Sequence, residues 1–161
     1  MPGSDHKAPY RMILPDKLDS EFSLSLSGRL DSSRGGFLFA VVNPLDTVVQ
    51  FGVRLEPLAG NTMNVSLYYS DPKLSVSQVI ASFKVPYKLR KYFMFLIRVT
   101  KKDVMLASCK GSKMIPVTRE PLELIFDSAS TLYIGQAGPI VNNPFEFNRP
   151  FKCSRNPFNY P

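Results

Sequence analysis

The residues most able to do chemistry in this chain are basic, and they are concentrated in one segment. Nine lysines and arginines stand between Lys84 and Lys113, where Asp103 is the only acid. The formal net charge of the whole chain is +7, so the rest of the sequence is close to neutral. A local basic field of this kind attracts polyanions in a salt-dependent way. The alternative that these lysines bind no ligand, and only keep the ends of a buried hairpin in contact with solvent, stays open.

The spacing of these residues predicts an extended binding surface. One group precedes the apolar segment Tyr92 to Val99, and another follows it at a turn. A strand of that length separates its ends by about 26 Å, which suits a long polyanion such as heparan sulfate better than a small phosphate. Arginine contacts sulfate with two parallel hydrogen bonds, whereas lysine acts as a point charge. The candidate glycosaminoglycan-binding residues are Lys88, Arg90, Lys91, Arg98, Lys101, Lys102, Lys110 and Lys113.

Nucleic acid is the rival polyanion. We expect no nucleic-acid partner, because the lysines lack interleaved exposed aromatic residues and no familiar nucleic-acid-binding module is visible. Arg98 stands on an apolar face of its segment, where an unpaired buried charge would be costly. Two roles stay open for it: contact with a ligand at the sheet surface, or a structural ion pair.

Patterns for catalysis are weak. The only histidine is His6, near the start of the chain, so a Ser-His-Asp or Cys-His arrangement is not expected. No Glu-x-Asp-x-Glu run offers paired carboxylates, and the glycine patterns of phosphate and dinucleotide sites are absent. One histidine and two cysteines do not make a set of zinc ligands. We predict that the protein is not an enzyme and needs no cofactor.

Alternation of apolar and polar residues predicts the elements that must position the basic residues. Tyr92 to Val99 is apolar on both faces and is predicted to be a central strand. About nine strands at roughly ten-residue spacing are typical of an antiparallel sandwich or barrel, and no apolar stretch is long enough to span a membrane. The predicted strands are Phe22–Leu30, Phe37–Val42, Val49–Leu55, Met63–Tyr69, Ile80–Val85, Tyr92–Val99, Val104–Ala107, Leu122–Phe126 and Leu132–Gly135.

The order of these strands resembles the laminin G-like domains, most closely the thrombospondin N-terminal type. The resemblance runs from about Leu14 to Cys153. The segments that carry it are FSLSLSGRL, GGFLFAVVN, VVQFGVRL, NVSLYYS, YFMFLIRV with TKKD and VML, Ser108-Cys109, and Leu132-Tyr133-Ile134-Gly135.

The resemblance implies an all-β, jelly-roll antiparallel sandwich, an extracellular home, and binding rather than catalysis. Glycosaminoglycan binding by basic residues recurs among the thrombospondin-type members. From the residues alone Cys109 and Cys153 could pair or stay free, and their family-like positions imply a disulfide between them. Some laminin G-like domains bind calcium, a less favoured option here. The acids weighed as its ligands, more typical of solvated strand ends, are Asp16, Asp19, Glu21, Asp31 and Asp46.

We predict a disordered head or cloning remnant over residues 1–10, a sandwich over 11–138, and an irregular tail over 139–161. The tail is expected to lie on the sandwich, tethered by a cysteine. Asn64-Val65-Ser66 is a glycosylation sequon, which is meaningful if the protein is secreted.

The predicted function is that of a secreted domain binding glycosaminoglycans and protein partners in matrix or at cell surfaces. One alternative is a protein-recognition or oligomerisation module with incidental charge, and its oligomeric state stays open. A second alternative is a carbohydrate-binding lectin, which is weakened because no tryptophan is available as a platform for sugar stacking.

Overall fold

The alternating segments of the sequence form β-strands in the computed structural model, which describes residues 6–9, 14–15, 17–71, 73–117 and 123–134. Twelve strands lie within these ranges. They are β1 His6–Pro9, β2 Lys17–Leu18, β3 Phe22–Arg29, β4 Gly36–Val42, β5 Val49–Leu58, β6 Thr62–Tyr69, β7 Val79–Pro86, β8 Tyr92–Val99, β9 Asp103–Ser108, β10 Gly111–Pro116, β11 Leu124–Ile125 and β12 Thr131–Ile134.

The strands form two main sheets. The larger has the order β1-β12-β4-β5-β6-β7, and the smaller has the order β10-β9-β8-β3. A third, two-stranded sheet joins β11 to β2, beside an ion pair of 2.9 Å between Lys17 Nζ and Glu123 Oε2. The hydrogen bond to Glu123 and its charge raise the pKa of Lys17. Each of these strand pairs is antiparallel, which confirms the predicted all-β antiparallel fold.

The core lies between the two main sheets and follows the alternation of each strand. In β6, every second residue is buried, from Met63 to Tyr69. Phe22 of the smaller sheet stacks on Tyr69 of the larger one, with ring centroids 5.9 Å apart. A fully buried side chain of this size contributes about 1.5 to 3 kcal/mol relative to an exposed one, so sheet-on-sheet packing is the main source of stability.

Strand β8 is central, as predicted, because it pairs with β3 on one side and β9 on the other. Phe95, Ile97 and Val99 are buried in the core. The opposite face of β8 differs from the expectation of a strand buried on both sides, since Leu96 is half-buried and Arg98 is exposed. Among the described residues, the larger sheet covers one face of the smaller sheet. The other face of the smaller sheet therefore remains partly open to solvent.

Three strands fall where none was predicted, among them the two-residue β2. His6–Pro9, within the predicted disordered head, pairs with β12 as an edge strand. Gly111–Pro116 forms β10, whose side chains are almost all exposed. A strand at a sheet edge with no buried face lacks the contrast between apolar and polar residues on which the prediction depends.

The predicted tail over residues 139–161, including Cys153, lies outside the described residues. Within the ranges that are described, no helix is long and apolar enough to cross a bilayer.

Candidate anion-binding site

The turn between β7 and β8 presents three of the predicted basic residues. Lys91 N–H donates to Lys88 O at 3.2 Å, and Arg90 N–H donates to Leu30 O at 2.8 Å. Arg90 also adopts a left-handed backbone conformation, with φ of 60°. These backbone constraints hold the turn on the sandwich while the side chains of Lys88, Arg90 and Lys91 remain exposed.

The turn between β9 and β10 brings a fourth cation to the same end of the sheet. Ser108 Oγ accepts a hydrogen bond from Lys110 N–H at 3.2 Å and donates to Gly111 O at 3.4 Å. Cys109, between them, is disulfide-bonded. Cys153, its predicted partner, lies outside the described residues, so the pairing of these two cysteines stays a prediction. Lys110 is exposed beside this covalent anchor.

Lys88, Lys91 and Lys110 line one cavity of about 220 Å³. The half-buried tyrosines Tyr87 and Tyr92 contribute to its wall. The remaining described lining residues are Val85, Pro86, Phe93, Met94, Phe95, Ser108 and Cys109. We call Lys88, Arg90, Lys91 and Lys110 the proximal cluster. The cavity combines cationic groups with aromatic and apolar surface, and no carboxylate lies among the described residues that line it.

Lys113 is also near this end of the molecule, but its ammonium group is engaged. Lys113 Nζ donates to Lys84 O at 2.5 Å, which links edge strand β10 of the smaller sheet to edge strand β7 of the larger one. The charge of Lys113 therefore adds to the local field, while its position is set by a contact between sheets.

The other predicted residues, Arg98, Lys101 and Lys102, form a distal group at the opposite end of β8. Lys101 N–H donates to Glu21 Oε1 at 3.5 Å. The carboxylate of Asp103 accepts from Thr100 Oγ1 at 2.9 Å in the same turn. Two carboxylates therefore stand beside the distal group and weaken its field.

Arg98 is exposed on the open face of the smaller sheet, opposite Ser23 and Met105 on the neighbouring strands. It forms no ion pair with any residue that the structure describes, which favours the surface role over the structural one. Between the two ends of β8, the same face carries Met94 and Leu96. The eight predicted residues thus divide between two ends, and an unbroken basic line does not connect them.

The sequence interpretation missed the aromatic part of the site. Tyr87 precedes Lys88 and Tyr92 follows Lys91, and both tyrosines keep part of their surface exposed. No aromatic residue among these lysines is fully exposed, but the interpretation left out the two half-buried tyrosines that alternate with them. The signal was the adjacency of tyrosine and lysine in the sequence, and it was overlooked because Tyr92 had been assigned to the central strand Tyr92–Val99.

The sequon residue Asn64 lies in β6, on the outer face of the larger sheet. Asn64 Nδ2 donates to Ser66 Oγ at 3.2 Å, and Ser66 Oγ lies 3.0 Å from Ser82 Oγ on β7. Asn64 is half-buried. Its use as a glycosylation site stays a prediction.

The acids weighed as calcium ligands are dispersed where the structure describes them, and Asp16 lies outside the described residues. Asp31 pairs with Arg29 at 2.6 Å, Asp46 Oδ1 accepts from Tyr133 Oη at 3.5 Å, and Glu21 lies beside Lys101. In the part of the chain that is described, no three His, Cys, Asp or Glu side chains cluster in a way that could hold a metal ion.

Comparison with known proteins gives weak similarity in sequence and a shared fold. The chain is 26% identical over 137 residues to the human collagen alpha-1(XVIII) chain, covering 84% of this chain and 8% of that one. The native heptameric SAP-like pentraxin of Limulus polyphemus aligns with a TM-score of 0.57 at 12% identity, covering 80% of this chain and 58% of that one. Domains LG4-5 of the mouse laminin alpha1 chain align with a TM-score of 0.44 at 15% identity, covering 73% and 28%.

No protein-family model matches the chain. The chain spans less than a tenth of the collagen relative and under two thirds of the pentraxin chain. The similarity to the pentraxin shows a jelly-roll fold, which confirms the predicted fold class.

Proposed function

We propose that this chain is an extracellular binding domain whose proximal cluster recognises sulfated glycosaminoglycans. The observation that carries the proposal is the single cavity shared by Lys88, Lys91 and Lys110, whose described lining includes no carboxylate. Three ammonium groups at one cavity create an anion site with little internal compensation of charge.

The cavity offers two kinds of contact to a sulfated sugar. Each lysine ammonium provides three hydrogen-bond donors to sulfate or carboxylate oxygens. Tyr87 and Tyr92 add apolar ring surface with a polar tip, which suits a sugar ring that is apolar on one face and hydroxylated at its rim. Neither histidine nor an acid lines the described part of the cavity, so its chemistry is suited to binding rather than to acid–base catalysis.

The similarity to a collagen chain supports placing this domain in the extracellular matrix. It also supports membership of the thrombospondin N-terminal type and a protein partner in the matrix. A disulfide at Cys109 is consistent with an oxidising compartment. Sequence similarity and the disulfide therefore favour the same location.

Binding to heparin oligosaccharides of defined length tests the proposal. We expect retention at physiological salt and an affinity that falls steeply as salt rises, because neutralising a polyanion releases its condensed counterions. The unsulfated polysaccharide precursor of heparin and single-stranded DNA of matched length are the two comparison ligands. Absence of binding near physiological salt, or equal affinity for the unsulfated polymer, would reject the proposal. Tighter binding of the DNA would assign the site to nucleic acid.

Recognition of a protein is a second candidate, favoured by the open face of the smaller sheet. Leu96 is half-buried there, and Met114 is 62% exposed. Met94 and Met105 lie on the same face, and methionine side chains adapt well to varied partners. Two results together would indicate this second function. The unmodified domain would not bind heparin, and the Met114→Glu variant would no longer bind a matrix protein that the unmodified domain binds.

A further inference from the structure

Large apolar side chains are exposed together in two loops at one end of the larger sheet. Leu45 is 79% exposed in the loop between β4 and β5. Leu74 and Val76 are 46% and 58% exposed in the loop between β6 and β7. The two loops are neighbours, because β5 begins beside the end of β6. Single exposed apolar side chains are ordinary, but a group of them at one place marks a binding surface.

A polar cavity of about 190 Å³ lies in this surface and is lined by both Leu45 and Leu74. Sites that take a drug-sized molecule measure about 300 to 1,000 Å³, so the smaller cavity suits a single inserted side chain. The other described residues that line it are Asn43, Thr47, Val48, Gln50, Ser70, Asp71 and Ser75.

Side-chain hydrogen bonds hold both loops in place. In the first loop, Asn43 Oδ1 accepts from the N–H groups of Thr47 and Val48 at 2.8 and 2.9 Å. In the second, the buried Ser70 donates from Oγ to Val49 O at 2.6 Å, which ties this loop to the start of β5. A cavity with preset walls loses little conformational entropy when a ligand binds.

The one charged side chain in the described lining of the cavity is acidic. Asp71 Oδ1 accepts from Lys73 N–H at 2.8 Å within its own turn, and its carboxylate forms no ion pair in the described part of the chain. Lys73 is the only cation in the two loops, and it does not line the cavity. Gln50 Oε1 accepts from Ser130 Oγ at 3.0 Å, which leaves the Gln50 amide nitrogen as a hydrogen-bond donor for a ligand.

We propose that the two loops form a docking surface for another protein, and that an arginine side chain of this partner inserts into the cavity. A guanidinium matches a carboxylate through two parallel hydrogen bonds, so Asp71 selects arginine. The methylene stem of an arginine packs on apolar surface, which Leu45 and Leu74 provide. Arginine is also enriched among the residues that dominate the energy of protein interfaces.

This docking surface is separate from the proximal cluster. The loop that contains Asp71 precedes β7, and the turn that contains Lys88 and Lys91 follows it. The eight residues of β7 span about 26 Å, well beyond the distance of about 8 Å over which physiological salt screens charges. The inference is therefore independent of glycosaminoglycan binding, and one molecule can hold a polyanion at one end and a basic protein at the other.

NMR titration with a short probe peptide tests the docking surface. The probe is leucine-arginine-leucine blocked at both ends, and the control peptide carries citrulline, which has nearly the shape of arginine without its charge. We expect saturable shifts of the Gln50 side-chain amide and the Asp71 backbone amide with the arginine peptide. The citrulline peptide should bind about tenfold more weakly, because it lacks the charge-assisted contact.

Asp71→Asn removes the charge from the cavity and keeps an oxygen that can accept from Lys73 N–H. It should lower the affinity for the arginine peptide to that for the citrulline peptide. Glu56→Gln is the matched control, because it removes an exposed carboxylate from β5 at about 20 Å from Gln50 along the strand. It should leave both affinities unchanged.

A second pair of variants tests the apolar rim. Leu45→Ser should weaken the binding of both peptides, whereas Leu58→Ser, at an exposed position at the far end of β5, should not. Both positions are exposed, so melting temperatures should stay close to that of the unmodified chain. Absence of saturable shifts, equal affinity for the two peptides, or equal losses within either pair of variants would overturn the proposal.

Discussion

The basic residues of this chain should contribute unequally to anion binding, because the charges of their neighbours differ. Lys88, Lys91 and Lys110 share a cavity without a described carboxylate, whereas Lys101 lies beside Glu21. Coulomb attraction to a polyanion depends on the sum of nearby charges. Two lysines of equal exposure can therefore contribute unequally to binding.

Charge reversal at the two ends of β8 should reveal this difference. Changing Lys88 and Lys91 to Glu should lower heparin affinity by about tenfold or more, because charge-assisted contacts are worth about 1.5 to 3 kcal/mol each. Changing Lys101 and Lys102 to Glu alters the net charge equally and is the matched control, with a smaller loss expected. Titration calorimetry gives the affinities, and melting temperatures should move little, because exposed charges add little to stability. Equal losses would mean that only net charge matters.

The ion pair between Arg29 and Asp31 gives a second prediction at the residue scale. Arg29 Nε lies 2.6 Å from Asp31 Oδ1, and both side chains are largely shielded from water. The Arg29 guanidinium also lies 5.4 Å from the centre of the Tyr92 ring. Asp31→Ala should therefore lower the free energy of unfolding by about 1 to 3 kcal/mol, measured by urea denaturation. Asp19→Ala, at an exposed position, should change it by less than about 0.5 kcal/mol.

At the scale of elements, β8 is the strand on which both the core and the site depend. Its core-facing residues join the sheets, and its two ends carry the two basic groups. Phe95 is 3% exposed, and its ring stacks on that of Phe93 at 5.0 Å. The core-facing side chains of β8 should therefore contribute more to the stability of the fold than the side chains on its other face.

Truncating one side chain on each face of β8 measures how much each face contributes to the free energy of unfolding. Phe95→Ala should cost about 3 to 5 kcal/mol of unfolding free energy, through lost burial and the cavity it leaves. Leu96→Ala, on the half-exposed face of the same strand, should cost only about 1 to 2 kcal/mol. Chemical denaturation gives both values. A loss below about 1 kcal/mol for Phe95→Ala would mean that β8 is not central.

Two glycines in turns offer a matched test of the connections. Both have positive φ, 67° at Gly35 and 76° at Gly60. A Cβ at Gly35 would lie 2.3 Å from Leu55 O, whereas one at Gly60 would meet nothing within 4 Å. Gly60→Ala should cost about 1 to 2 kcal/mol, from the left-handed conformation alone. Gly35→Ala should cost clearly more, because β4 and β5 would have to separate, and similar melting temperatures for the two variants would contradict this.

For the whole molecule, the disulfide at Cys109 anchors the turn that carries Lys110. The predicted bond to Cys153 would close a loop of about 45 residues and stabilise the fold by roughly 4 kcal/mol by chain-entropy arguments. Non-reducing peptide mapping should recover the two cysteines in one linked peptide pair. Mild reduction should lower the melting temperature and weaken heparin binding together. Recovery of Cys153 as a free thiol would contradict the pairing.

Most of the sandwich could be predicted because its signal is local. The alternation in Phe22–Arg29 and Thr62–Tyr69 reports which residues face the core, without any knowledge of the partner strands. β10 escaped prediction because its side chains are exposed on both faces. The two-residue β2 and the four-residue β1 are too short for a period to be read.

The sequence by itself determined the fold class, the core-facing rows and the concentration of charge at the ends of β8, since each depends on residues near one another along the chain. Only the tertiary structure decided which charges act together. Lys110 joins Lys88 and Lys91 because β9 lies beside β8, and Lys113 is drawn to Lys84 across the two sheets. Glu21 reaches the distal turn from β3, far away in sequence. These contacts depend on strand order and register, which arise from packing of the whole chain and leave no trace in local periodicity.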